Sequence, residues 1–111
     1  MKIAISCKGD RGLDDEVSEV FARAPYFAIV DVEDGEIRSV RVFKNPVSGY
    51  SHGVGPIIVE RLANEGVELV ITSEVGVGAS ALLKEHNIGY RVVEAGKSVR
   101  EAVNEALSRE A

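Results

Sequence analysis

Tyr26-Phe27-Ala28-Ile29-Val30-Asp31-Val32-Glu33, then Asp34-Gly35, then Glu36-Ile37-Arg38-Ser39-Val40-Arg41-Val42-Phe43-Lys44 is the stretch on which the fold turns. Both arms are rich in β-branched and aromatic residues, and Asp-Gly is a strong signal for a tight hairpin turn. The arms are therefore expected to be antiparallel neighbours. Arg38 and Arg41 in the second arm are charges of the kind that stop an edge strand from pairing with another chain.

Upstream, Lys2-Ile3-Ala4-Ile5-Ser6 reads as a buried strand that runs into the polar loop Lys8-Gly9-Asp10-Arg11-Gly12, with Cys7, the single cysteine, at the junction. Between this strand and the hairpin, Val17, Val20 and Phe21 have i, i+3, i+4 spacing, which predicts a short helical segment over Asp14 to Ala24, stopped before Pro25. Downstream the punctuation becomes that of alternating helices and strands. Pro56 opens a helix whose Ile57, Ile58, Leu62 and Ala63 face a sheet and whose stop is Gly66. The strand Glu68-Leu69-Val70-Ile71-Thr72 follows, then the turn Ser73-Glu74-Val75-Gly76-Val77-Gly78, then a helix carrying Ala79, Leu82 and Leu83 that ends near Asn87. His86 falls in the last turn of that helix, where a histidine serves the dipole. After the strand Gly89-Tyr90-Arg91-Val92-Val93, Ser98 and Glu101 have capping-box spacing ahead of the stripe Val99, Ala102, Val103, Ala106 and Leu107.

A strand, a hairpin and then alternating helices and strands imply an α/β domain with one mixed sheet and helices on both faces. With the hairpin on one side of the first strand and the later units on the other, the five strands take the order 3-2-1-4-5 with strand 2 antiparallel. That arrangement resembles the ribonuclease H-like fold, expected here as a single domain over residues 1–111. It places a topological switch point, where ligands of open α/β sheets collect, between strands 1 and 4. Cys7 ends one of these strands and Thr72-Ser73 the other, and the loop from Asn45 to Gly55 is expected to cross the same rim.

At 111 residues and 45% hydrophobic, the chain can bury roughly two thirds of its unfolded surface without staples. One cysteine forms no intrachain disulfide and a strand begins directly after Met1, so a cytoplasmic setting is expected. No apolar run reaches the ~18 residues of a membrane span, so no membrane partner is expected. With 13 Lys and Arg against 18 Asp and Glu, the net charge of −5 disfavours nucleic acid.

The rim residues carry the chemistry. Cys7 is a soft thiol suited either to binding or to packing as a small hydrophobe. His52 reads as a metal ligand, or else as a solvent-exposed loop residue or a partner for a helix-entry carbonyl. Gly53 and Gly55 precede one helix and Gly76 and Gly78 another, so unpaired backbone N–H groups at both helix starts favour an anion. Catalysis finds no support: the first strand lacks the acids a magnesium nuclease needs, and Leu13 stands where a phosphatase-like cysteine loop needs arginine. Two ligands are too few for a closed zinc site. No enzyme is expected.

Met1-Lys2-Ile3-Ala4-Ile5-Ser6, Val17-Ser18, Phe21-Ala22-Arg23-Ala24-Pro25-Tyr26-Phe27, Asn45-Pro46 and His52-Gly53-Val54-Gly55 are followed by Leu62-Ala63-Asn64-Glu65-Gly66-Val67, Gly76-Val77-Gly78 and Ser98-Val99-Arg100-Glu101-Ala102-Val103. This order and spacing resembles the dinitrogenase iron-molybdenum cofactor biosynthesis family over almost the whole chain. The resemblance implies a non-catalytic carrier of an iron-sulfur or iron-molybdenum-type cluster, accessory to metallocofactor biosynthesis, whose partners are cluster donor and acceptor proteins. It maps the family's cluster-contacting histidine onto His52 and makes Cys7 a candidate thiolate ligand. Such a cluster is anionic, so Gly9, Arg11, Gly53, Gly55, Ser73, Gly76 and Gly78 are the further expected contacts, with Arg23 and Lys44 as nearby cations. The competing expectation is a regulatory or interaction module without a cluster. It would bind a small phosphate or carboxylate at the Gly53 and Gly76 helix ends, or use Tyr26 and Tyr50 for a protein contact.

Overall fold

The stretch from Tyr26 to Lys44 folds as the expected hairpin. In the computed structural model, which describes residues 1–110, β2 (Tyr26–Glu33) and β3 (Glu36–Lys44) pair antiparallel. Asp34 and Gly35 join them with φ of 54° and 76°, the positive values a two-residue turn requires. On its other side β2 pairs antiparallel with β1 (Lys2–Cys7). β1 pairs parallel with β4 (Val67–Thr72), and β4 parallel with β5 (Gly89–Val92). The result is one five-stranded mixed sheet in the order β3-β2-β1-β4-β5, joined by helices α1 (Val54–Asn64), α2 (Val77–Glu85) and α3 (Val99–Glu110).

Alternation along β1 sorts the core into two layers. Ala4 packs with Phe27, Ile58, Leu62, Val70 and Leu83 on the side of α1 and α2. Ile3, Ile5 and Cys7 pack with Val30, Ile71, Val99 and Val103 on the side of α3. Each fully buried Ile, Leu or Phe side chain contributes roughly 1.5–3 kcal/mol, so these layers supply most of the driving force. At the β3 edge Arg41 pairs with Glu65 at 2.6 Å, and Arg61 lies 3.9 Å over the Phe43 ring. These contacts tie the edge strand to the end of α1. Among the described residues no helix is long and apolar enough to cross a membrane.

Two expectations are corrected. Asp14 to Ala24 is not a helix: after a 3-10 turn at Gly12–Asp14 the chain extends, Val17 bridges Cys7 and Glu16 bridges Ser98. The Val17 N–H donates to Lys97 O and the Ser18 N–H to Ser6 O, so tertiary partners take the backbone groups that a helix would pair internally. The helical spacing there came from separate contacts, Val17 packing in the α3 layer and Phe21 in the opposite one. In α1, which begins at Val54 ahead of Pro56, Ile57 does not face the sheet but is 43% exposed, and Val59 is buried instead.

Candidate functional site

α1 and α2 both run back to the starts of the parallel strands β4 and β5, so both begin at the carboxyl end of β1 and β4. No side chain caps either start, and neither first turn carries an acid. Gly53, the cap of α1, has φ 76°, a conformation natural to glycine. A Cβ at Gly53, Gly76 or Gly78 would meet nothing within 4 Å, so the backbone at both helix starts is open. Gly55 serves packing instead, since a Cβ there would lie 3.6 Å from Leu82. Two open helix starts present positive dipole ends to an anion.

His52 is exposed in the loop immediately ahead of Gly53. Two clamps set the path of that loop. Asn45, buried at 2% exposure, donates through Nδ2 to Ala22 O at 2.8 Å and Ala24 O at 2.9 Å. Its Oδ1 accepts from the Val47 N–H at 3.0 Å, the self-bonded turn that asparagine favours. The Arg23 guanidinium then donates to Tyr50 O and, at 2.8 Å, to Ser51 O. A cleft of about 190 Å³ opens between this unit and the start of α2, lined by Phe21, Ala22, Arg23, Glu74, Gly76 and Ala79 among others. The Asn45-Pro46 pair is a turn signal that marks the first clamp. No local signal marks the second, because Arg23 and its acceptors are 27 and 28 residues apart.

Cys7 lies elsewhere. It packs in the α3 layer with no solvent exposure, and its thiol donates to Ile5 O at 3.1 Å. Burial pushes the thiol up to about 12, a backbone hydrogen bond from Ala28 opposes the rise, and the Asp15 charge adds to it. At physiological pH it is a neutral thiol, whereas metal ligation needs the thiolate. The β1 residue that faces the α1 and α2 side here is Ser6, whose buried hydroxyl donates to Thr72 Oγ1 at 2.8 Å. In this conformation Cys7 and His52 therefore do not form a ligand pair. Among the described residues no three His, Cys, Asp or Glu side chains gather as a metal site.

Gly9 and Arg11 belong to a third place, organised by Asp15. This carboxylate is 1% exposed, accepts the N–H groups of Arg11 at 2.9 Å and Glu16 at 2.8 Å, and pairs with the Arg11 guanidinium at 3.7 Å. Burial opposes its charge, but the N–H groups of Arg11, Glu16 and Gly9 and the guanidinium outweigh burial and hold the carboxyl below its ordinary value. A Cβ at Gly9 would sit 2.8 Å from Asp15 Oδ2, so only glycine fits there without a shift. Ser73 Oγ donates to Ser18 O at 2.7 Å, fastening the extended segment to the end of β4. Tyr50 is 53% exposed beside the His52 loop, whereas Tyr26 is partly buried against the α3 layer. Lys44 is exposed at the end of β3, and His86 is the C-cap residue of α2.

Fold and site together define a small mixed α/β protein with two open helix starts beside a histidine-bearing loop. The chain matches the family described as dinitrogenase iron-molybdenum cofactor over residues 1–109, and it belongs to that family. It is 33% identical over 88 residues to an uncharacterized protein of Methanocaldococcus jannaschii, a match spanning 79% of this chain and 70% of the relative. The apo form of the orange protein from Desulfovibrio gigas is similar in structure at TM-score 0.88 and 30% identity, covering 98% of this chain and 88% of that one. A Thermotoga protein provisionally named NifB is similar at TM-score 0.77 and 39% identity, covering 97% and 87%. The family relates the chain to iron-molybdenum cofactor biosynthesis.

Proposed function

We propose that the protein is a non-catalytic carrier for an anionic iron-sulfur or iron-molybdenum-type cluster, received from and passed to partner proteins of metallocofactor assembly. The cargo sits at the rim between His52, the start of α1 and the start of α2. The observation that carries this reading is the pair of uncapped, acid-free helix starts beside the exposed His52. A cluster rich in sulfide needs positive dipole ends and N–H donors, and this rim supplies them in an otherwise acidic chain. His52 is the proposed protein ligand. Cys7 joins it only when the end of β1 opens, because its thiol is buried and protonated. The strand order and crossovers suit the ribonuclease H-like description.

Anaerobic reconstitution with iron, molybdate and sulfide, followed by desalting and metal analysis, tests the proposal. The wild-type protein should retain metal and visible absorbance, and His52→Ala should lower retention several-fold at unchanged fold. Gly76→Asp should do the same, since aspartate caps a helix start well yet repels an anion there. Complete loss of metal from the wild type on desalting would overturn the carrier reading. Thermal stabilisation by phosphate without metal retention would assign the helix starts to a small anion instead.

A further inference from the structure

We infer that the free edge of β5 is a docking strand for an extended, carboxylate-bearing peptide, which adds to the sheet beside α2. β5 is the last strand of the sheet and pairs with β4 alone. The Val93 N–H donates to Thr72 O at 2.9 Å and so addresses β4. Backbone polar groups alternate sides along a strand, so the N–H and C=O of Tyr90 and Val92 address the open edge. They form a template for one more strand.

The two edges of the sheet are treated differently by the sequence. β3 carries Arg38, paired with Glu36 at 3.5 Å, and Arg41, paired with Glu65, and its register with β2 shifts between Asp31 and Val32. Charges and an irregular register are what blunt an edge against strand addition. β5, Gly-Tyr-Arg-Val, is short and carries Arg91, which alternation puts on the α3 side, but it has neither proline nor lysine and pairs with β4 without a register shift. Ile88 packs in the α1 and α2 layer and Val93 in the other, so alternation puts Tyr90 and Val92 on the α2 side. There they are 45% and 54% exposed.

A groove of about 500 Å³ runs alongside, between α2 and β5, lined by Ala81, Lys84, Ile88 and Tyr90 among others. Among the described residues Lys84 is the one charged group lining it, whereas the cleft at the Val92 end of the strand is lined by Glu19, Glu94, Lys97 and Glu105, so a carboxylate is received on the Lys84 side. Charge complementarity therefore selects an acidic partner. Main-chain bonds to Tyr90 and Val92 give the affinity, and the groove receives an apolar side chain while Lys84 meets a carboxylate, the division of labour of strand addition. None of the residues lining this groove lines the cleft beside the His52 loop, and the docking of a peptide here does not depend on any cargo.

The probe is a fluorescein-labelled octapeptide of alternating valine and threonine ending in aspartate, followed by anisotropy against the full chain. Saturable binding is expected. Val92→Pro removes an outward N–H without touching the bond from Val93 to Thr72, a position where an edge strand tolerates proline, and should abolish binding in a protein that still melts cooperatively. Lys84→Glu, a surface change that leaves the fold intact, should weaken the acidic peptide about three- to fivefold and leave a peptide with asparagine amide in place of aspartate unchanged. No saturation up to about 1 mM peptide, or equal binding by Val92→Pro and Lys84→Glu, overturns the proposal. A wild-type dimer in sedimentation that Val92→Pro converts to monomer, with no peptide bound, assigns the edge to a second copy of the chain and also overturns it.

Discussion

Asp15 is a buried carboxylate whose environment is built to keep it charged. Its ordinary value is 3.8 and its folded value is lower, so its contribution to stability is complete above 3.8 and is lost as pH falls through the folded value. Asp15→Asn should cost about 1–3 kcal/mol near neutrality and should flatten the acid limb of a urea-melt pH series. Cys7 shows the opposite sign. Its thiol is held protonated from 9.0 to about 12, a window in which the unfolded chain ionises, so stability falls as pH rises across it. The wild type should lose more stability there than Cys7→Ala does, and near pH ~8 the native thiol should resist iodoacetamide until the chain is unfolded. Neither role is visible locally. Asp15 sits among several acids, and a lone cysteine at a strand end reads equally as ligand or as core until the face it occupies is known.

At the scale of elements, segments with strong local signals formed where expected. Asp34-Gly35 made the hairpin, and Ser98 Oγ accepts the Glu101 N–H at 3.1 Å at the start of α3, so Ser98→Ala should lower stability by about 1 kcal/mol in a thermal melt. The segment after β1 failed as a helix because Val17 and Phe21 serve opposite layers, a division that periodicity cannot distinguish from one helical face. The His52 loop depends on a buried side chain rather than on regular structure. Asn45→Ala leaves the carbonyls of Ala22 and Ala24 without their donor and should cost about 2–3 kcal/mol. Faster proteolysis between Asn45 and Gly55 in that variant would report the same release before global unfolding.

For the whole molecule, β1 is flanked by β2 and β4 and covered on both faces, whereas β5 has one neighbour and two half-exposed side chains. Native-state hydrogen exchange should therefore be slowest from Ile3 to Cys7 and fastest among strand amides at the outward-facing Tyr90 and Val92, and uniform rates would contradict this hierarchy. Hydrophobic period and turn chemistry are local properties, and by themselves they determined the hairpin, the five strands and the three helices, whereas the strand order followed only once the hairpin was placed on one side of the first strand and the later units on the other. They also marked the glycine-bearing helix starts and the exposed His52. Only the tertiary structure decided that Cys7 faces the α3 layer while Ser6 faces the helix starts, that Asp15 gathers Gly9 and Arg11, and that Arg23 and Asn45 hold the His52 loop. Each of these depends on which groups from distant parts of the chain share one side of the sheet. Side-chain direction and hydrogen-bond partnership are fixed by packing, where every buried polar group must find a partner, and no window of neighbouring residues contains that information.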